Sequence, residues 1–213
     1  MMVDLVPSVV AVAEAFEDVS EVSMFDEERA VVARAVDKRR REFATSRHCA
    51  RQALRRLGQP PVPILPGDHG APIWPAGIVG SMTHCDGYRA AALARRQDVL
   101  TVGIDAEPAG PLPDGVLGAV SLAEERVMLC DLAAAVPDTP WDRLLFSAKE
   151  AVYKAWFPLA RRFLNFTEAR VTFDPAAGTF AAQVLVPGPV STFTGRWLTA
   201  GGLVLTAIVV PAD

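Results

Sequence analysis

The groups in this chain most able to do chemistry are carboxylates at a short, fixed spacing. Asp105 and Glu107 lie two residues apart in LTVGIDAEP (100–108), and Glu150 follows in FSAKEAVYKAW (146–156). Side chains at i and i+2 of a strand point to one face. Asp105 and Glu107 can therefore offer oxygen to one ion, while Val102, Ile104 and Ala106 alternate with them or pack nearby. A helix carrying Glu150 can supply a third ligand. Oxygen ligands without a neighbouring Cys or His pair suit Mg²⁺ or Mn²⁺ better than zinc, and Mg²⁺ leaves positions for water and a substrate phosphate. Lys154 stands one turn beyond Glu150, where it either neutralises charge developing on a phosphate or makes an ordinary i,i+4 pair worth about 0.3–0.5 kcal/mol. For Asp105 and Glu107 the bland alternative is a solvated strand end before Pro108, although two like charges on one face are unfavourable without a cation.

Those residues need a strand and a helix to hold them. IVGSMTH (78–84), the turn at 85–87, YRAAALARR (88–96) and LTVGIDAE (100–107) predict a hairpin followed by a third strand. The helix bearing Glu150 begins near Pro140. Its apolar side is Leu144, Leu145, Ala148, Ala151, Val152 and Ala155, and Arg143, Ser147, Glu150 and Lys154 share the other. Ahead of it, Ser121 with Glu124 three residues on reads as a capping box for a helix to about Ala135. ARVTFD (169–174), TFAAQVLV (179–186) and the pair TGRWLTA and LVLTAIVV around Gly201-Gly202 read as strands.

Residues 28–57 lack Gly and Pro and end at Gly58, a favourable residue just past a helix. This predicts a helix, long enough that a break near 41–46 is expected. Arg40, Arg47, Arg51 and Arg55 form a ridge beside the apolar positions Val36, Phe43, Ala50 and Leu57. Such a ridge is either a solvated face or a seat for a polyanion. Residues 59–77, rich in Pro and Gly, predict a surface loop, and Pro108–Gly115 separates the halves at about residue 110. Each half reads as a helix followed by an antiparallel hairpin. The expected fold is α+β, two similar halves (1–110 and 111–213) in a pseudo-twofold arrangement with a site between them.

Composition narrows the function. The chain has 213 residues, a net charge of −4 and 51% hydrophobic residues, which excludes global disorder and a generally basic nucleic-acid binder. Yet ten basic residues lie between Arg29 and Arg56 against only Asp37 and Glu42, which suits a polyanion of limited size. Cys49, Cys85 and Cys130 show no paired spacing, which fits a reducing cytoplasm. The apolar stretch 6–16 has no basic flank, contains Glu14 and is followed at once by Glu17 and Asp18, so no signal peptide is read, and no apolar run approaches the ~18–20 residues of a membrane span.

VGIDAE (102–107) followed by FSAKEAVYKAW (146–156), with RRREFATSRHCA (39–50) and GSMTHC (80–85), resembles the Sfp-type 4'-phosphopantetheinyl transferases, in particular the PptT-like branch, over residues 29 to 210. The resemblance implies transfer of phosphopantetheine from coenzyme A to a serine of apo acyl or peptidyl carrier proteins or carrier domains, as in polyketide, nonribosomal peptide and siderophore assembly. It implies release of 3',5'-ADP, a Mg²⁺ requirement, and a monomer. By position it assigns Asp105, Glu107 and Glu150 to the metal, Glu150 and Lys154 to catalysis, and Arg39, Arg40, Arg47, Gly70, Ala71, Pro72, Thr83, His84 and Lys154 to coenzyme A. Carrier docking would fall near residues 116–130. Pro66 and His69 stand where many members carry Lys or Arg, leaving fewer fixed charges for the 3'-phosphate. A binding module without turnover, or a pyrophosphate hydrolase with the same metal geometry, remain alternatives at this point.

Overall fold

In a computed structural model, which describes residues 1–19 and 23–212, the alternation between residues 78 and 108 becomes three strands. They are β2 (Ile78–Cys85), β3 (Tyr88–Arg95) and β4 (Val99–Pro108). With β1 (Ala11–Ala15), two of them form a small antiparallel sheet of order β1-β3-β2. β4 instead pairs with β8 (Leu203–Pro211), and the second sheet continues through β7 (Thr192–Ala200) and β6 (Thr179–Val184) to β5 (Ala169–Asp174). The 6–16 stretch thus contains a strand that sequence did not signal. Its Ala and Val residues alternate too weakly to announce it, and it is fixed by its register with β3, Ala13 opposite Ala91.

Two hydroxyls join the sheets. Ser81 Oγ accepts the N–H of Ile104 (3.1 Å) and Thr83 Oγ1 accepts the N–H of Ala106 (3.1 Å), so β2 and β4 run side by side in the same direction, linked by side chains. Beyond this seam one cluster serves both sheets: Val12, Ala90, Ala92, Val102, Ile104, Ala106 and Leu205 pack together.

A 20-residue helix covers the other face of each sheet. α2 (Asp37–Arg56) lays Cys49, Ala50, Ala53 and Leu54 on Ala13, Ala91 and Leu93. α5 (Trp141–Ala160) lays Leu144, Leu145, Ala148, Ala151 and Ala155 over the second sheet. The result is the α+β, two-half architecture expected from sequence.

The Gly- and Pro-free stretch departs from expectation. It is two helices, α1 (Asp26–Val31) and α2, and the break falls at 32–36 instead of 41–46. Glu28, fully buried, pairs with Arg51 at 2.8 Å. In one continuous helix those residues would stand about 35 Å apart, so the ion pair requires the chain to fold back between them. Arg47 and Arg51 of the expected ridge are consequently buried, and Arg40 and Arg55 are exposed.

In the second half, α3 (Val116–Val120) precedes α4 (Ala123–Ala135). The capping contact is made one residue later than the sequence suggests, with Glu125, not Glu124, accepting the N–H of Leu122 (2.7 Å). Glu125 is also buried against Lys149 of α5 (2.7 Å) and accepts the N–H of Val171 (2.7 Å), tying α4, α5 and β5 together. Among the described residues no helix is long and apolar enough to cross a membrane.

Candidate active site

The odd-numbered residues of β4 face α5. Thr101 donates to the carbonyl of Ala155 (2.8 Å), Gly103 lies directly under the helix, and Asp105 and Glu107 follow toward its first turns. A Cβ built on Gly103 would fall 2.0 Å from the Ala151 carbonyl and 2.8 Å from the Ala155 nitrogen. Only a residue without a side chain lets α5 approach so closely, and that approach brings Lys154 onto Asp105. Gly103→Ala is therefore expected to displace the helix. Overpacking of this kind costs about 1–3 kcal/mol, which thermal unfolding would register, and any activity at this site should fall out of proportion to the lost stability.

Asp105 is buried. Its Oδ1 accepts from Lys154 Nζ at 2.7 Å and from Thr83 Oγ1 at 3.2 Å, and Lys154 also donates to the Ile104 carbonyl (3.1 Å). Lys154 thus pairs across the helix–strand interface, where sequence placed it only beside Glu150. Asp105 Oδ2 is buried without a hydrogen-bond partner among the described residues. Glu107 is held by Arg143 Nη1 at 3.1 Å. Burial, and then the negative charge of Asp105, push the Glu107 carboxyl above its usual range, with Arg143 opposing. Glu150 is likewise raised by burial, with Lys154 pulling down and Asp105 pushing up. It borders a cavity of about 90 Å³ lined by Tyr153, Phe163, Leu164 and Phe166.

The three carboxylates are neighbours by charge, yet they do not close on a single point as the sequence reading expected. Among the described residues no three His, Cys, Asp or Glu side chains are arranged to hold one ion. As they stand, one oxygen of each strand carboxylate is engaged by a cation from α5 and the other lies outside that pairing. The donor set nevertheless fits a hard dication: every candidate ligand is a carboxylate oxygen, and the buried Oδ2 of Asp105 is unspent.

Around this centre the first half contributes His84 and Arg39. Arg39 Nη1 donates to His84 Nε2 at 2.7 Å, and burial together with Arg39 lowers the imidazole's pKa, so the ring is a neutral acceptor. Arg47 lies under the 59–77 loop, where its Nε donates to the Ile64 carbonyl (3.2 Å) and its guanidinium stacks 3.4 Å from the centre of the Phe43 ring. Burial lowers its pKa to about 10. Arg40 turns back to the Ala33 carbonyl (2.7 Å). Gly70 and Ala71 use their N–H groups inside their own loop, bonding Gly67 and Asp68. Pro72 bridges to Pro66, while His69, at a left-handed φ of 51°, rests its ring 5.4 Å from Phe157 at the end of α5. The Thr83 hydroxyl is spent on β4. Trp156 and Phe157 are buried packing residues.

Sequence reasoning missed the particular partners of Arg143 and the structural role of Lys149. Arg143 lay on the polar side of the predicted helix, one full heptad before Glu150, and that alignment was the available signal.

Two halves, each a helix on a sheet, with carboxylates from one strand facing a Glu and a Lys on the opposing helix, form a scaffold that comparison with known proteins identifies. Residues 27–94 match the 4'-phosphopantetheinyl transferase N-terminal domain, and residues 101–206 match the 4'-phosphopantetheinyl transferase superfamily. The chain belongs to this superfamily, within its Sfp-type, PptT-like group, and is an enzyme of that class. It is similar to the 4'-phosphopantetheinyl transferase Svp of Streptomyces mobaraensis, with 58% identity over 100% of this chain and 90% of the relative. It is also similar to PptT of Mycobacterium tuberculosis (51%; 93% and 91%) and to Npt of Nocardia iowensis (49%; 98% and 99%), both likewise 4'-phosphopantetheinyl transferases. A more distant relative is enterobactin synthase component D of Salmonella typhi, 31% identical over 80% of this chain and 72% of the relative.

Proposed function

We propose that the protein moves 4'-phosphopantetheine from coenzyme A to a serine hydroxyl of an apo acyl or peptidyl carrier protein, releasing 3',5'-ADP, with Mg²⁺ as the metal and Mn²⁺ as a substitute. The single observation that carries this reading is the buried, unpartnered Oδ2 of Asp105 beside Lys154, Glu107 and Glu150 in a chain of this superfamily. The serine oxygen forms a bond to the phosphorus on the pantetheine side, the bridging P–O bond breaks, and its electron pair leaves with 3',5'-ADP. Asp105, Glu107 and Glu150 are the residues that would hold the dication. When bound, the ion neutralises pyrophosphate charge at the phosphorus under attack.

The chain's own groups do the rest. Glu150, its carboxyl raised by burial, takes the serine proton directly or through one water. Lys154 offers positive charge to the departing phosphate, held in place by Asp105 and the Ile104 carbonyl. The cavity beside Glu150 gives the arm an apolar wall at Phe163 and Leu164. Arg39 and His84 meet the nucleotide phosphates from α2 and β2, and Arg40, Gly70, Ala71, Pro72 and Thr83 are assigned to the coenzyme A side by the family resemblance alone, since the Arg40 guanidinium, the Gly70 and Ala71 N–H groups and the Thr83 hydroxyl are engaged within the protein. We assign the coenzyme A-binding part to residues 1–110 and the catalytic helix to 111–213. We assign its action to the cytoplasm, as a monomer.

Incubation with coenzyme A and Mg²⁺, with and without an apo-carrier, tests the reading by mass spectrometry. Transfer adds one phosphopantetheine to the carrier. Release of 3',5'-ADP without a carrier would instead establish hydrolysis, and the absence of both would leave a binding protein.

Arg47 carries a narrower expectation. A buried guanidinium whose nearest contacts are a carbonyl and a ring is poised for an anion. Arg47→Ala should raise the KM for coenzyme A about tenfold, roughly 1.4 kcal/mol, with a smaller change in kcat. An unchanged KM removes Arg47 from the site.

A further inference from the structure

We propose that Arg143 is the positioning residue for Glu107, fixing that carboxylate so that its second oxygen is presented to the dication. The inference rests on the metal reading above.

Three acceptors hold the guanidinium. Nη1 donates to Glu107 Oε2 (3.1 Å), Nε to the Gly110 carbonyl (3.1 Å) and Nη2 to the Pro111 carbonyl (2.7 Å). Both carbonyls belong to the segment that leaves β4, so one planar fork spans the strand carboxylate and the chain that follows it. A lysine has no such geometry: its ammonium is a point charge that cannot meet three acceptors spread along a plane. The neighbouring Asp142 adds a second clamp on the same segment, its Oδ2 accepting the N–H of Leu112 (2.8 Å). The first turn of α5 therefore grips residues 110–112 at two places, and only one of the two reaches Glu107.

The Arg143–Glu107 pair is largely shielded, with side-chain exposures of 17% and 20%. An anchored guanidinium in such a place is a fixed hydrogen-bond donor and not a counter-ion free to swing away. Lys154 does the corresponding work on Asp105, also engaging one oxygen and leaving the other. The two strand carboxylates are thus each oriented by one cation from α5, with one oxygen of each outside that pairing. Outer partners of this kind typically govern metal affinity by 10- to 100-fold.

The test is Mn²⁺ binding to the full chain in the presence of coenzyme A, read from the electron paramagnetic resonance of free Mn²⁺. Arg143→Gln is expected to weaken Mn²⁺ binding about 10- to 100-fold, and Arg143→Lys to restore little of it. Where Arg143→Gln does not fold, Arg143→Lys carries the same comparison. In a Glu107→Gln background the Arg143 substitution should add nothing further, because its effect runs through that carboxylate. Asp142→Asn, which releases the other clamp, should leave Mn²⁺ affinity unchanged. An unaltered affinity in Arg143→Gln, an equal loss in the Glu107→Gln background, or a matching loss in Asp142→Asn would each overturn the assignment. If the unsubstituted protein binds no Mn²⁺ with coenzyme A present, the metal reading itself fails and takes this inference with it.

Discussion

Asp105→Asn should lose transfer by on the order of 10³-fold or more in kcat/KM, equivalent to about 4 kcal/mol of transition-state stabilisation. The substitution keeps the volume of a buried side chain, so the fold should persist. What changes is charge. The single amide oxygen can face Lys154, now 2.7 Å from a neutral partner, or take the position of the unspent Oδ2, and the other position then holds a donor that cannot ligate a cation. Either orientation removes one function, metal ligation or the placement of Lys154, and weakens the other through the lost charge. Circular dichroism and cooperative thermal unfolding should confirm that the protein remains folded. Turnover within tenfold of the unsubstituted enzyme would show that Asp105 is a structural partner of Lys154 and nothing more.

Glu150→Gln should lower kcat by about 10²- to 10⁴-fold, the usual span for loss of a positioned general base. Its pH dependence tests whether the ionised Glu150 carboxylate is needed for turnover. Burial and Asp105 hold the Glu150 carboxyl above the usual carboxylate range, against the pull of Lys154. A base must be deprotonated to act, and a bound dication would pull the Glu150 carboxyl back down, so the rate of the unsubstituted enzyme should climb as pH rises through the value that carboxyl has in the metal-loaded enzyme and level off above it. Glutamine does not titrate, so the residual activity of the variant should lack that acidic limb. Profiles of kcat/KM against pH at constant ionic strength decide the matter. An identical limb in Glu150→Gln would place the proton acceptor elsewhere.

Much of this arrangement was readable before any coordinates. The period-2 alternation of 100–107 put Asp105 and Glu107 on one face, and the strand confirms it, with Thr101 and Gly103 on the same face under α5 and Val102, Ile104 and Ala106 in the shared cluster. The glycine-linked pairs at 85–87 and 201–202 gave their hairpins. What sequence could not supply was the partner of each charge. Helical spacing pairs Lys154 with Glu150, but the height and rotation of α5 on β4 are set by Gly103 and the small residues Ala151 and Ala155, and they deliver Lys154 to Asp105. Nor could a run of acidic and basic residues reveal that Glu28 and Arg51 would be buried together. Their meeting depends on a reversal of the chain at 32–36 that no Gly or Pro marks.

The hydroxyl seam between β2 and β4 has a consequence for how the site keeps its dimensions. Ser81 and Thr83 are separated by one residue, as are their acceptor-seeking partners Ile104 and Ala106, so the two sheets can dock in only one phase. A slip by a single step would offer Gly80 and Met82, which have no hydroxyl, to the same two amides. His84, immediately beyond Thr83, is thereby locked at a set distance along the strands from Asp105. The molecule carries its own ruler between His84 and Asp105, graduated in units of one dipeptide.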